Sequence, residues 1–133
     1  MFRLMHSGMV ALLFAFYALP AAAIDIDERI LAVPVRVQGP DGQAIAQDIV
    51  VTVFEARGRS TYPLLVLNHG RPAGDNRANL RRVRYSQAAR FFAEFGFSVW
   101  VPTRIGYGAS GTAIDAEFAG PCNNRNFARS FGV

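Results

Sequence analysis

YPLLVLN (residues 62–68) and FSVWVP (residues 97–102), with a stretch of helical spacing between them, decide the fold. In the first run Leu64, Leu65, Val66 and Leu67 are consecutive apolar residues. That is the pattern of an interior strand in a parallel sheet, buried on both faces. From Leu80 to Phe95, Val83, Ala88, Phe91, Phe92 and Phe95 fall on one side of a helix, while Arg81, Arg82, Arg84, Arg90 and Glu94 fall mostly elsewhere. Asn79 is placed to cap this helix and Gly96 to close it at C′. Strand, helix and strand in that order form a βαβ crossover, which makes the two strands parallel.

Upstream, Ile30 to Val37 (ILAVPVRV) alternates with the period of a half-buried strand, and Pro34, lacking an N–H, suits an edge. Gly39-Pro40-Asp41-Gly42 signals a turn, and Asp48 to Ala56 (DIVVTVFEA) is a second strand rich in β-branched residues. The two are expected to form an antiparallel hairpin or a pair of near neighbours. Downstream of Thr103 the chain turns glycine-rich (RIGYGASG), and Asn123 to Val133 has no periodicity. No repeat or low-complexity segment appears.

Of the 133 residues 51% are apolar and 18% charged, a balance that folds and that bounds the chain to one domain or part of one. Net charge is +4, and every basic residue is Arg. Six of these lie between Arg71 and Arg90 against one acid, Asp75. Without interleaved aromatics on a polar face, this reads as a solvated helix face, and no nucleic-acid partner is expected. One Cys and two His supply no recognisable metal spacing, so neither a metal nor a cofactor is expected.

The first residues carry an export pattern. Arg3 precedes an apolar run from Met9 to Leu19, Pro20 breaks it, and Ala21-Ala22-Ala23 offers the small residues that signal peptidase requires. The run is shorter than the about 20 residues a membrane-spanning helix needs, so a stable anchor is not expected. Residues 1–23 therefore read as a signal peptide, and the protein as periplasmic or extracellular. Cys122 is the sole cysteine of an exported chain. It is a free thiol, an intermolecular bridge, or half of a disulfide whose partner lies outside this sequence, the last being the favoured expectation.

Asn68-His69-Gly70 lies at the carboxyl end of the 62–68 strand, where ligands bind in parallel α/β sheets. A His-Gly pair there lets the backbone turn sharply and leaves the Arg71 N–H directed into the site, as acyl transfer requires of an oxyanion donor. With this spot on the page, PLLVLNHGRPAG, a helix and FSVWVPTRIGYGASG together resemble the third through fourth strands of α/β-hydrolases. Within them the chain is most similar to exported bacterial dienelactone-hydrolase-like and prolyl-oligopeptidase-like proteins, over Ile30 to Cys122.

The resemblance implies an α/β fold. Residues 24–133 would be the N-terminal part of a hydrolase sheet: an antiparallel pair, then parallel βαβ, four strands and the first helix, ending in the aperiodic tail 123–133. It implies that His69, Gly70 and Arg71 form the oxyanion-hole loop. Arg104, Gly106, Tyr107, Gly108 and Ser110 would form a structural turn after the fourth strand. The chemistry implied is hydrolysis of a small-molecule ester or a peptide through an acyl-enzyme. In the hydrolase order the third strand lies between the fourth and the fifth, so without a fifth Leu64 to Leu67 is an open edge. Such a chain is expected to associate or pack loosely.

The nucleophile of such enzymes sits in a G-x-S-x-G elbow between the fifth strand and the next helix. Ser110 stands in Gly108-Ala109-Ser110-Gly111-Thr112, which has Thr at the last position and follows the fourth strand instead. Ser130 stands in Ala128-Arg129-Ser130-Phe131-Gly132, with no apolar strand before it. His6 leaves with the leader, so His69 alone remains, and no Ser-His-Asp triad can be assembled from these residues. The chain thus reads as cut before its nucleophile and inactive alone. A small exported non-enzymatic β-rich binding domain is the alternative from another class.

Protein recovered from the periplasm or medium is expected to begin at Ile24 on N-terminal sequencing; membrane-bound material retaining Met1 would contradict the leader.

Overall fold

The computed structural model describes residues 24–39, 42–72, 76–121, 123–126 and 128. The leader, Cys122 and Ser130 lie outside the described residues. Four strands form one mixed sheet: β1 (Ile26–Gln38), β2 (Ala44–Ala56), β3 (Leu64–Val66) and β4 (Ser98–Thr103). Their spatial order is β1-β2-β4-β3. β1 and β2 make an antiparallel hairpin in which Pro34 faces Asp48, and β1 is an edge strand, where the missing proline N–H costs no ladder bond. Gly42, at φ +70°, and the Gly42 N–H to Gly39 carbonyl bond (3.0 Å) close the turn. β2 pairs antiparallel with β4, and β4 parallel with β3. The architecture is α/β, with the expected parallel crossover between β3 and β4.

The crossover helix, α1 (Ser86–Glu94), starts six residues later than the apolar spacing predicts. Asn79 does not cap it and lies instead in a short 3-10 turn, Arg77–Leu80. Arg81 (φ 32°) and Tyr85 (φ 45°, left-handed) have positive φ and interrupt helical geometry on either side of Val83. Between them, the Val83 N–H donates to Thr103 Oγ1 (2.9 Å) and its carbonyl accepts from Thr52 Oγ1 (3.0 Å). Both peptide groups are satisfied by the sheet, so the chain gains nothing by continuing a helix there. The helix ends as expected. Gly96, at φ +91°, donates to the Ala93 carbonyl, and the Phe97 N–H reaches the Phe92 carbonyl, a Schellman closure.

The buried side of α1 also differs from the expected one. Ala89 and Ala93 are fully buried, whereas Phe91 is 54% and Phe95 67% exposed. Alanine lets the helix approach the sheet closely, and the core is built from Phe54, Val83, Ala89, Ala93, Val99 and Val101. Phe92 and Phe97 close one end of it edge to face, with ring centroids 6.3 Å apart. The apolar spacing therefore located a helix but assigned its large aromatics to the wrong side.

Leu64 to Leu67 is likewise not buried on both faces. β3 pairs only with β4, and its side chains alternate: Leu65 and Leu67 pack against the core, while Leu64 is 61% and Val66 47% exposed. The third strand is thus an open edge among the described residues, with α1 packed on β2, β4 and β1. An exposed apolar edge templates association, and charge suppresses it. Val66→Lys is expected to raise the monomer fraction in light scattering while far-UV CD and stability stay within about 0.5 kcal/mol of the parent. Unchanged association would mean that self-contact runs through another surface.

Candidate functional site

β3 and β4 are parallel, so their carboxyl ends lie together and deliver residues 68–72 and 104–111 to the same end of the sheet. His69 joins the two loops. Its buried ring lies with Nδ1 2.9 Å from the Gly70 carbonyl, which can only accept, and Nε2 3.2 Å from the Arg104 N–H, which can only donate. A neutral ring protonated on Nδ1 satisfies both contacts. Tyr107 packs edge-on against it, with centroids 4.7 Å apart at 75°. Neither ring nitrogen is left to take a proton from a nucleophile.

Gly70 does not behave as the sequence suggests. Its φ is not in the left-handed region, and a Cβ there would meet nothing within 4 Å. Neither backbone strain nor crowding demands glycine here; the residue borders open space. The Arg71 side chain donates from both terminal nitrogens to Asp115 at 2.8 and 2.7 Å. No described residue accepts from the Arg71 peptide N–H.

The turn after β4 is held by close backbone contacts. Gly108, at φ +37°, lies against Arg81, and a Cβ on it would come within 2.2 Å of the Arg81 carbonyl oxygen. A Cβ on Gly106 would meet the Ile114 carbonyl oxygen at 2.4 Å. Only glycine fits at either position. Ser110 is buried, and its hydroxyl donates to the Thr103 carbonyl and accepts from the Val50 N–H (2.9 Å). Its own carbonyl accepts from Gln47 Nε2 (2.7 Å). Ser110 therefore ties the turn to β2 and presents no free hydroxyl for attack.

Electrostatics bind this turn to the segment that follows. The buried Tyr107 donates to Glu117 Oε2 at 2.5 Å, and Glu117 also pairs with Arg104, whose guanidinium lies 5.2 Å over the Tyr107 ring. Burial, reinforced by the Glu117 charge, pushes the Tyr107 phenol above its ordinary value, so it remains a donor. Arg104 Nε is buried without a partner among the described residues. Asp115 accepts from Arg71 and lies 3.5 Å from Arg77 Nε. Hydrogen bonding to Arg71 holds its carboxyl below the usual range against the opposing effect of burial.

The structure thus brings His69, Gly70 and Arg71 beside Arg104, Gly106, Tyr107, Gly108 and Ser110. It adds Arg77, Asp115 and Glu117, which sequence reading missed; the only signal was two acids two apart, downstream of an arginine-rich stretch. Those arginines do not form a solvated helix face. Arg82 and Arg84 reach Glu28 on β1 (3.2 and 2.5 Å), Arg71 and Arg77 reach Asp115, and Arg90 lies over Phe54. A shallow depression of about 370 Å³ lies at the opposite end of the sheet, lined by Asp27, Arg29, Glu55, Ala56, Arg57 and Tyr62. Its charges neutralise one another, Arg29 on Glu55 and Arg57 on Asp27.

No helix of the described residues is long and apolar enough to cross a membrane, and no group of three His, Cys, Asp or Glu among them could hold a metal. No family model, curated protein or solved structure matches the chain.

Glu28, Glu55 and Asp115 are each held below the ordinary carboxylate range, with Arg84, Arg29 and Arg71 respectively the largest cause. A depressed native value means that the unfolded chain binds protons first as pH falls. Their contribution is therefore whole above about pH 4.5 and is lost as pH drops through the lower native values. Urea midpoints are expected to be flat from neutrality to about pH 5 and to fall below that. Asp115→Asn should lessen the fall; an identical acid limb in that variant would show that the pair contributes no stability.

Proposed function

We propose that these residues form the oxyanion-hole side of an exported α/β-hydrolase-type serine hydrolase acting on carboxylic esters or amides. The nucleophile, general base and orienting acid would be carried on sequence outside these 133 residues. The observation that carries this reading is the pairing of the two loops at the carboxyl ends of β3 and β4 through His69 and the Arg104 N–H. That pairing leaves the Arg71 N–H uncommitted beside open space at Gly70. A fixed N–H there can donate to the oxygen of a tetrahedral intermediate, where charge develops only during reaction.

Three further points support it. In the order β1-β2-β4-β3 the third strand lies beside the fourth, as the hydrolase resemblance implies. His69 is occupied at both ring nitrogens, which suits an anchor and leaves the general base to another residue. Ser110 is occupied too, as a structural turn residue should be. The Arg71 N–H would steady the developing oxyanion while a serine attacks the carbonyl carbon and the base takes the serine proton.

The 133-residue protein is expected to show no turnover on p-nitrophenyl esters, with Ser110→Ala and Ser130→Ala indistinguishable from it. Turnover abolished by either substitution would overturn the assignment. The coding sequence beyond Val133 supplies the positive test. A G-x-S-x-G elbow there, and hydrolysis that Arg71→Pro lowers about 10²–10³-fold by deleting the donor, are expected. A gene without any elbow would identify an exported binding domain instead.

A further inference from the structure

We infer that His69, through Nδ1, is the positioning residue for the Arg71 N–H assigned above to the oxyanion. The inference deepens that reading and rests on it for its purpose, while its content is geometric. A trans peptide is planar, with its carbonyl and its N–H pointing to opposite sides. Among the described residues every peptide bond is trans. The Gly70 carbonyl and the Arg71 N–H belong to one such plane, so whatever holds the carbonyl also aims the N–H. His69 holds it, with Nδ1 donating to the carbonyl at 2.9 Å. Because the carbonyl is turned to the buried ring, the N–H is directed the opposite way, and no described residue accepts from it.

Gly70 is where the chain most needs such a hold. Glycine has the widest backbone freedom of any residue. Even a Cβ at this position would meet nothing within 4 Å, so packing does not restrain it. The Nδ1 bond closes a loop of covalent bonds that contains both backbone torsions of Gly70, and it supplies the restraint that packing does not. The anchor itself is fixed. His69 is 4% exposed, Tyr107 packs edge-on with centroids 4.7 Å apart, and Nε2 accepts from the Arg104 N–H at 3.2 Å. A backbone N–H cannot accept, so Arg104 assigns the lone pair to Nε2 and leaves the ring proton on Nδ1, facing the carbonyl. The two ring nitrogens therefore have separate tasks. Nε2 sets the tautomer and ties the ring to the end of β4, and Nδ1 sets the peptide plane.

The two tasks separate in amide substitutions. The Asn amide nitrogen sits close to where histidine carries Nδ1, and the Gln amide oxygen reaches to where it carries Nε2. His69→Asn thus keeps a donor for the Gly70 carbonyl and drops the acceptor for Arg104, and His69→Gln does the reverse. ¹⁵N relaxation of the 133-residue protein at neutral pH reads the result at the residue 71 amide, with Thr52, Val53 and Val101 as strand references. The residue 71 order parameter is expected at about 0.85 in the parent and in His69→Asn, and below about 0.6 in His69→Gln, with the strand amides at about 0.85 throughout. A residue 71 amide that stays rigid in His69→Gln overturns the inference. Equal loosening in His69→Asn also overturns it, since the contact to Arg104 would then be the hold. Strands that loosen along with residue 71 overturn it too, as the mark of a general fold contact. The unaltered protein gives a check that no variant can spoil. Long-range ¹H–¹⁵N correlations are expected to place the His69 ring proton on Nδ1, and a proton found on Nε2 overturns the inference. None of these readouts involves catalysis, so they stand apart from the hydrolase reading, which the elbow and the Arg71→Pro activity decide.

Discussion

Val83 has both peptide groups inside the molecule and no helix or strand to satisfy them; the hydroxyls of Thr103 and Thr52 do so instead. A buried peptide group left unpaired costs about 1–3 kcal/mol, so these two bonds constrain everything nearby. They stop the crossover helix from starting before Ser86 and draw residues 81–85 onto the sheet. There the Arg81 carbonyl accepts the Ala109 N–H and lies where any Cβ on Gly108 would be. Arg82 adds a bond to the same Thr52 hydroxyl and reaches Glu28 on β1. The turn after β4, and with it the partner of His69, takes its place from this contact between a short loop and two strand threonines.

Small hydroxyl residues carry out the same task at the next position along the chain. Ser110 accepts the Val50 N–H from β2 and donates to the Thr103 carbonyl on β4, so that β2, β4 and the glycine turn are joined at one buried oxygen. This is why a serine flanked by glycines, superficially like a nucleophile elbow, has no hydroxyl to spare. A catalytic serine must stand out of its hydrogen-bonding surroundings, and this one is consumed by them.

Charge is distributed on the same plan. Arg71, Arg77, Arg82 and Arg84 point to acids far away in sequence: Glu28 on the first strand and Asp115 beyond the fourth. Each of these two acids collects two guanidiniums. At the carboxyl ends of β3 and β4 this pairing closes a ring from His69 through Arg104, Glu117 and Asp115 back to Arg71.

What the sequence determined by itself is the part written in local periodicity and turn chemistry. Alternation in residues 30–37 and 48–56, the apolar runs at 62–68 and 97–102, and Gly96 at a helix end were enough for four strands, one crossover helix and a parallel pair. Proline in β1 marked an edge for the same local reason, a missing N–H. The tertiary structure alone decided where α1 begins, which side it buries, and that Leu64 and Val66 face outward. Helical spacing is equally well met by two neighbouring faces, and only close approach to Phe54 and Val99 selects the alanine one. It alone decided, too, that Asp115 holds Arg71 across 44 residues and that Thr52 answers Val83 across 31. Such pairs leave no periodic trace in the chain, because their partners are neighbours only after the strands between them have been ordered in the sheet.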